Sequence, residues 1–395
     1  MGKFEQTQPQ AAIVIEALNF DGAKVEKFPV EKEQGTVSAI IYNAQDEKIA
    51  EQVQPLDSYL QGWLYTLFSN NSNAATAQPS IQSLDTGGTS RTHVGGSIGL
   101  AHNTTTSTDA TVGVVVGTGS NPVVVTDHKL GGQCAHGSGT NQFMHQVQQF
   151  DTYVTVGTTT RFTSKRRFAN SGSVSITVTE AGIYAQNTAG GTQKFCIIRD
   201  VLATASVVAV GQTIEVQYSL PITMVSTSGG YVGNFDKLFN NTAGNGLLIF
   251  SSDAVDINGT TRQLSGTNVP FNTIAAIGVV TQGIVVGTSS ASVVISDNKL
   301  NSICTNGSGL NQLSYQAMAY DAPIVSGSVI TVRQKRVVNN LGTGSVVIQE
   351  IGVYSLCNTS AGTQNFCISR HVVTPYTIPS SGSVQITFVQ QISVP

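Results

Sequence analysis

The sequence predicts an all-β protein: two antiparallel β-sandwiches in tandem, of jelly-roll or immunoglobulin-like order, behind a small N-terminal mixed module. Three observations predict this. First, VGVVVGTGSNPVVVTDHKL from Val112 is answered by GIVVGTSSASVVISDNKL from Gly283, about 170 residues on, a spacing of whole-domain size. Second, charged residues make up only 11% of the chain against 40 glycines, with Ser, Thr, Asn and Val abundant, as strands joined by many turns require. Third, the interspersed helical period of a parallel α/β sheet is missing.

The repeat holds through changing local composition. Asp127 answers to Asp297, Gly137-Ser138-Gly139 to Gly307-Ser308-Gly309, Asn141-Gln142 to Asn311-Gln312 and Asp151 to Asp321. GSVSITVTEAGIYAQN from Gly172 meets GSVVIQEIGVYSLCN from Gly344, which sets Glu180 opposite Glu350 and Tyr184 opposite Tyr354. GTQKFCIIRDV then meets GTQNFCISRHV after a one-residue slip. The division that follows is 1–62 for the N-terminal module, 63–225 for the first copy and 226–395 for the second, with a linker near 221–234 marked by Pro221 and the Ser-Thr-Ser-Gly-Gly run.

Residues 1–62 hold 15 of the chain's 43 charged residues and no Arg, a compositional shift that sets them apart. IVIEALNF, VEKFPVE and VSAIIYNA read as strands, Asp21-Gly22 as a hairpin turn and DEKIAEQV as a helical turn. LDSYLQGWLYTLF, from Leu56, aligns Leu60, Trp63, Leu64, Leu67 and Phe68 on one helical face. It reads as a short cap on the first copy, with Trp63 and Phe68 the candidate interface residues. Strands of the first copy are expected near 91–100, 111–117, 122–127, 142–150, 152–168, 173–185, 193–200 and 213–220, and TIEVQYSL and SVQITFVQQI alternate as closing strands with one buried face.

Net charge is -3, which offers no footprint for nucleic acid; Lys165-Arg166-Arg167 and Arg333-Gln334-Lys335-Arg336 read as solvated strand faces. Met1 leads into a polar stretch and not a secretion signal, and no run of 18 apolar residues exists, so neither secretion nor a membrane span is expected. Five scattered cysteines read as buried thiols in a reducing compartment, with Cys357–Cys367 the one pairing to check. His128, His136 and His145 are spaced suggestively for a metal, but Asn298, Asn306 and Tyr315 stand opposite them and supply no imidazole, so no metal is expected. Gly117-Thr118-Gly119 and Gly137-Ser138-Gly139 lack the Lys and helix of a phosphate loop and read as turns. No catalytic residue and no cofactor is expected. Glu180 and Glu350 lie inside apolar strands, where a carboxylate is costly unless paired; Arg199 and Arg370 on the next strand are the structural partners expected for them.

Taken in order, WLYTLF, DTGGTSR, VGVVVGTG with VVVTD, GSGTNQ, EAGIY, FCIIRDV and a closing G-x-T-x-x-V-x-Y strand resemble poorly characterised structural proteins of tailed bacteriophages. The resemblance covers both copies, is closer in the first, and leaves residues 1–62 unmatched. It implies a non-enzymatic virion component in many copies, a capsid or tail building block or decoration protein, assembled in the host bacterial cytoplasm by contact with itself and other virion proteins. The N-terminal segment is expected to make an intersubunit contact. The alternative is an adhesin or fibre module whose aromatic tips, with Phe143, Tyr153 and Tyr231 as candidates, bind a host-surface glycan.

Overall fold

The structure, a computed structural model, describes residues 10–17, 36–55, 60, 81–93, 107–151, 154–156, 159–187, 193–223, 234, 253–264, 273–321, 324–326 and 329–393. Every element among them is a β-strand. No helix among the described residues is long and apolar enough to cross a membrane.

Three strands come from the N-terminal segment: β1 (Gln10–Ala17), β2 (Thr36–Tyr42) and β3 (Lys48–Pro55). Eleven follow up to residue 223: β4 (Ile81–Leu84), β5 (Ser90–His93), β6 (Gly113–Gly117), β7 (Ala135–His136), β8 (Gln142–His145), β9 (Gln149–Phe150), β10 (Val154–Val156), β11 (Thr159–Ala169), β12 (Ile176–Asn187), β13 (Gln193–Val208) and β14 (Thr213–Thr223). Another eleven follow from residue 253: β15 (Asp253–Val255), β16 (Thr261–Gln263), β17 (Gly283–Gly287), β18 (Thr305–Asn306), β19 (Gln312–Tyr315), β20 (Ala319–Tyr320), β21 (Ile324–Ser326), β22 (Val329–Asn339), β23 (Val346–Thr359), β24 (Gly362–Ile378) and β25 (Ser383–Ser393).

The two sets pair alike, strand for strand. β14, β11, β8 and β7 lie side by side with β9 and β10 on the flank of β11; β25, β22, β19 and β18 repeat that order with β20 and β21 on β22. A three-stranded sheet β13-β12-β6 is matched by β24-β23-β17, and a hairpin β4-β5 by β15-β16. Phe168, Ile214, Val216 and Tyr218 of the first unit's larger sheet and Val114, Val116, Ile176 and Val178 of its smaller sheet belong to one buried apolar cluster, which also takes in residues of the second unit. The period of two on β11 buries Ser164, Arg166 and Phe168 and turns Lys165 and Arg167 outward, so the basic run is divided between the two faces and not wholly solvated.

Among the described residues, the strands of residues 1–62 lie in the larger sheets of the two units. β2 pairs with β14 from Thr36↔Ser219 to Tyr42↔Thr213, and β1 pairs with β25 from Gln10↔Gln391 to Ala17↔Val384. A segment this short buries little apolar surface alone, and two open sheet edges supply the partners its backbone needs. The helical reading of DEKIAEQV is likewise corrected: it forms the turn into β3 and β3 itself, because a ladder with β2 outweighs local propensity. VVVTD is not a strand. Val124 N donates to Asp127 Oδ2 and Asp127 N to Val124 O, a side-chain-closed turn after Pro122. Of the segment Leu56–Phe68 only Leu60 is described; it is buried, and its N–H donates to Ile197 O. Trp63, Phe68, VEKFPVE and residues 224–233 of the linker lie outside the described residues.

Candidate functional site

Glu180 and Glu350 each stand at an interruption of a ladder. The ladder between β12 and β13 slips between Val178 and Glu180, and that between β23 and β24 slips between Ile348 and Glu350, the extra residues lying on the partner strands β13 and β24. On its other side Glu180 faces Gly117 of β6, and Glu350 faces Gly287 of β17. A Cβ on Gly117 would stand 2.6 Å from Glu180 Oε1, and one on Gly287 2.5 Å from Glu350 Oε1. Gly119 is equally close, so the Gly-Thr-Gly run is the floor of a carboxylate pocket and not only a turn.

Inside that pocket Glu180 is fully buried and its acceptors are engaged. Oε1 accepts from Gly119 N at 3.0 Å and Gly132 N at 2.6 Å; Oε2 accepts from Gly131 N at 3.0 Å and from Arg199 Nε at 2.9 Å. Arg199 continues outward, Nη1 donating to Asp127 Oδ2 at 2.7 Å and Nη2 to Asn121 O at 3.0 Å. Burial by itself would lower the Arg199 pKa, but the bonds to Asp127 and Glu180 hold it above its ordinary value. Tyr184 OH accepts from Leu130 N at 2.7 Å, fixing the same loop from behind. The loop from Thr118 to Gln133 is thereby stitched to the small sheet through one buried carboxylate.

The second unit repeats the arrangement. Arg370 Nε donates to Glu350 Oε2 at 2.9 Å and Nη1 to Asp297 Oδ2 at 2.7 Å; Ser302 N and Asn301 N donate to Glu350 at 2.7 and 3.2 Å; Leu300 N donates to Tyr354 OH at 2.7 Å. Both pairs named from the sequence are therefore brought together, Glu180 with Arg199 and Glu350 with Arg370. Sequence reasoning missed the third member, Asp127 or Asp297, although its recurrence in the repeat was the available signal.

Other repeated polar residues also spend their chemistry on the chain itself. Arg166 is 1% exposed and donates to the carbonyls of Gln146, Val112, Val114 and Asp109; Arg336, equally buried, donates to those of Gln316, Gln282, Ile284, Ala276 and Val279. Burial pulls both down to about 10, which leaves them charged at neutral pH. Asp85 closes a turn through Gly87 N and Thr89 N and takes Arg91 Nε at 2.9 Å; Asp256 does the same with Asn258, Thr260 and Arg262. Asn170 and Asn340 each tie two carbonyls across a corner.

Where the units differ, buried chemistry changes in matched pairs. Asp200 faces the buried Tyr218, whose phenol is raised first by burial and then by that carboxylate; His371 and Phe388 stand in their places, with rings 6.3 Å apart. His145 is 3% exposed between His136 and Phe168, while its counterpart Tyr315 reaches Cys304 O at 2.7 Å through its hydroxyl. No group of three or more metal-ligating side chains converges among the described residues. All five cysteines are buried and unbridged: Cys357 faces Gln364 and Cys367 faces Tyr354, out of register with one another. Phe143 is fully buried in the core and so is no exposed tip, because β8 alternates and Phe143 falls on its inner face; Tyr153 and Tyr231 lie outside the described residues. Comparison of the chain with protein-family models, with curated proteins and with solved structures found no match.

Proposed function

We propose that this chain is a non-enzymatic structural protein that acts in many copies, a capsid or tail component of a tailed bacteriophage assembled in the host cytoplasm. Its body is read as two tandem antiparallel β-sandwiches, supported by the strand-for-strand match of the two sets and by the buried apolar cluster to which the larger and smaller sheets both contribute. The observation that carries the functional reading is the twice-built carboxylate pocket. A catalytic acid needs a free lone pair and an approach path, whereas Glu180 and Glu350 are fully buried and bonded to the loop they hold. Such pockets make stiff loops on a stiff sheet, the property that assembly contacts use. The bacteriophage assignment rests on the motif resemblance of both copies.

The test is electron microscopy and light scattering of the purified protein over a range of concentrations, together with binding to purified phage particles. Ordered multimers, or stable attachment to a capsid or tail, are expected. A protein that stays monomeric throughout and binds no particle would overturn the reading, as would turnover of a cell-wall polymer.

A further inference from the structure

One end of the second unit holds three aliphatic side chains in the open. Ile277 is 68% exposed, Leu310 89% and Leu341 61%. Each stands on its own loop, and the loops adjoin. A Cβ on Gly278, next to Ile277, would stand 3.2 Å from Asn306 Nδ2, and one on Gly342, next to Leu341, 3.0 Å from Ser308 O. The loop 306–310, which ends on Leu310, therefore lies between the other two.

The first unit builds the same end from polar residues. Arg166 donates to Asp109 O as Arg336 does to Val279 O, Gly139 N donates to Gln142 as Gly309 N does to Gln312, and Asn170 closes the corner that Asn340 closes. At that constant offset Ser107 stands for Ile277, Thr140 for Leu310 and Ser171 for Leu341. The backbone of these loops thus forms without an apolar side chain at any of the three positions. It is also held in place: Gly278 N donates to Tyr315 O at 2.9 Å, Gly309 N to Gln312 Oε1 at 2.8 Å and Asn340 Nδ2 to Gly344 O at 2.7 Å. A contact made by side chains on fixed loops loses little entropy on forming.

Charge narrows what can sit there. Residues 273–282, 305–312 and 339–345 contain no Asp, Glu, Lys or Arg. An anionic lipid surface or a nucleic acid calls for basic residues at the point of contact, and these loops have none. A surface charged with one sign opposes its own copy across a two-fold axis, whereas an uncharged apolar one meets itself without penalty. Area then sets the strength. Three side chains expose a few hundred Å² of apolar surface, against about 800 Å² per partner in a stable standard interface, so two isolated chains hold each other weakly.

We propose that the loops bearing Ile277, Leu310 and Leu341 form a self-docking surface, occupied by the same loops of a second copy across a two-fold axis. The contact deepens the multi-copy reading and rests on it, but not on the bacteriophage assignment. Sedimentation velocity of the full-length chain from micromolar to millimolar concentration is expected to show a reversible monomer–dimer equilibrium. The chain carrying Ile277→Ser, Leu310→Thr and Leu341→Ser, the residues of the first unit, is expected to associate at least about tenfold more weakly. Leu310→Thr alone is expected to shift the equilibrium the same way by less, and Thr140→Ser with Ser171→Ala, at the matching end of the first unit, to leave it unchanged. Association that the triple variant retains would overturn the proposal while the multi-copy reading stands, and so would a parent that binds phage particles yet stays monomeric. Flotation of the parent, but not the triple variant, with phosphatidylcholine vesicles would assign the loops to a lipid surface and overturn it as well.

Discussion

Arg199 is the residue on which two carboxylates depend, one of them fully buried. Arg199→Met leaves Glu180 with its backbone donors but without its countercharge, and about 3–5 kcal/mol of stability is expected to be lost, as for other broken buried pairs. Urea unfolding measures it; a loss below roughly 1 kcal/mol would mean that the backbone N–H groups alone carry the charge. The glycines around the pocket give a sharper contrast. Gly117→Ala drives a methyl to 2.6 Å from Glu180 Oε1 and 2.7 Å from Gly132 O, and is expected to cost about 1–3 kcal/mol. Gly344→Ala meets nothing within 4 Å, and should stay within about 0.5 kcal/mol of the parent. The Glu–Arg pairs were legible in the sequence because burying a charge in an apolar strand demands a partner. Asp127, Gly131 and Gly132 were not, because Gly131 and Gly132 reach Glu180 across 49 and 48 residues of chain and Asp127 reaches Arg199 across 72, and local pattern carries no such distance.

Strands were legible wherever alternation and turn residues agreed, and misread where pairing outvoted both. DEKIAEQV has helical composition, yet it pairs along β2 from Thr36↔Pro55 to Tyr42↔Lys48, so the segment forms the turn into β3 and β3 itself. VVVTD is rich in β-branched residues, yet Asp127 closes it into a turn and Arg199 holds that Asp. Strand β1 is the element whose loss is easiest to read. Removing residues 1–17 strips eight paired residues from β25 and bares a long regular edge next to the second unit's core. Intermolecular pairing at that edge is expected, seen as light scattering and aggregation at concentrations where the full chain stays clear. A deletion that remains as soluble and as stable as the parent would show that β1 contributes nothing to closing that sheet.

Among the described residues, each unit of the whole molecule carries a buried histidine held well below its ordinary value of 6.5. Burial, then Arg166 and His136, pulls His145 down to about 4, and burial pulls His371 down to about 4. Both are neutral in the folded chain and charge more readily once unfolded, so their contribution is complete above pH 6.5 and is lost as pH falls toward 4. Each is expected to cost about 1.4 kcal/mol per pH unit inside that window. The stability-against-pH curve of the full chain measures it. His145→Tyr, which installs the residue of the second unit at that position, should flatten the curve by one histidine's share; an unchanged slope would show that His145 does not titrate on unfolding.

Composition, alternation and a repeat of about 170 residues determined by themselves that this protein is β throughout its described residues and that its second half restates its first, because a strand's period and a turn's chemistry are local properties. Only the tertiary structure decided how the N-terminal strands are shared out. β1 joins the second unit and β2 with β3 the first, a choice made by open edges 170 and more residues away, invisible to any window of sequence. It also decided which groups the paired charges meet. Whether a buried Glu and Arg serve catalysis or hold a loop depends on which backbone N–H groups arrive beside them, and those arrive only when the loop folds back over a glycine that leaves them room.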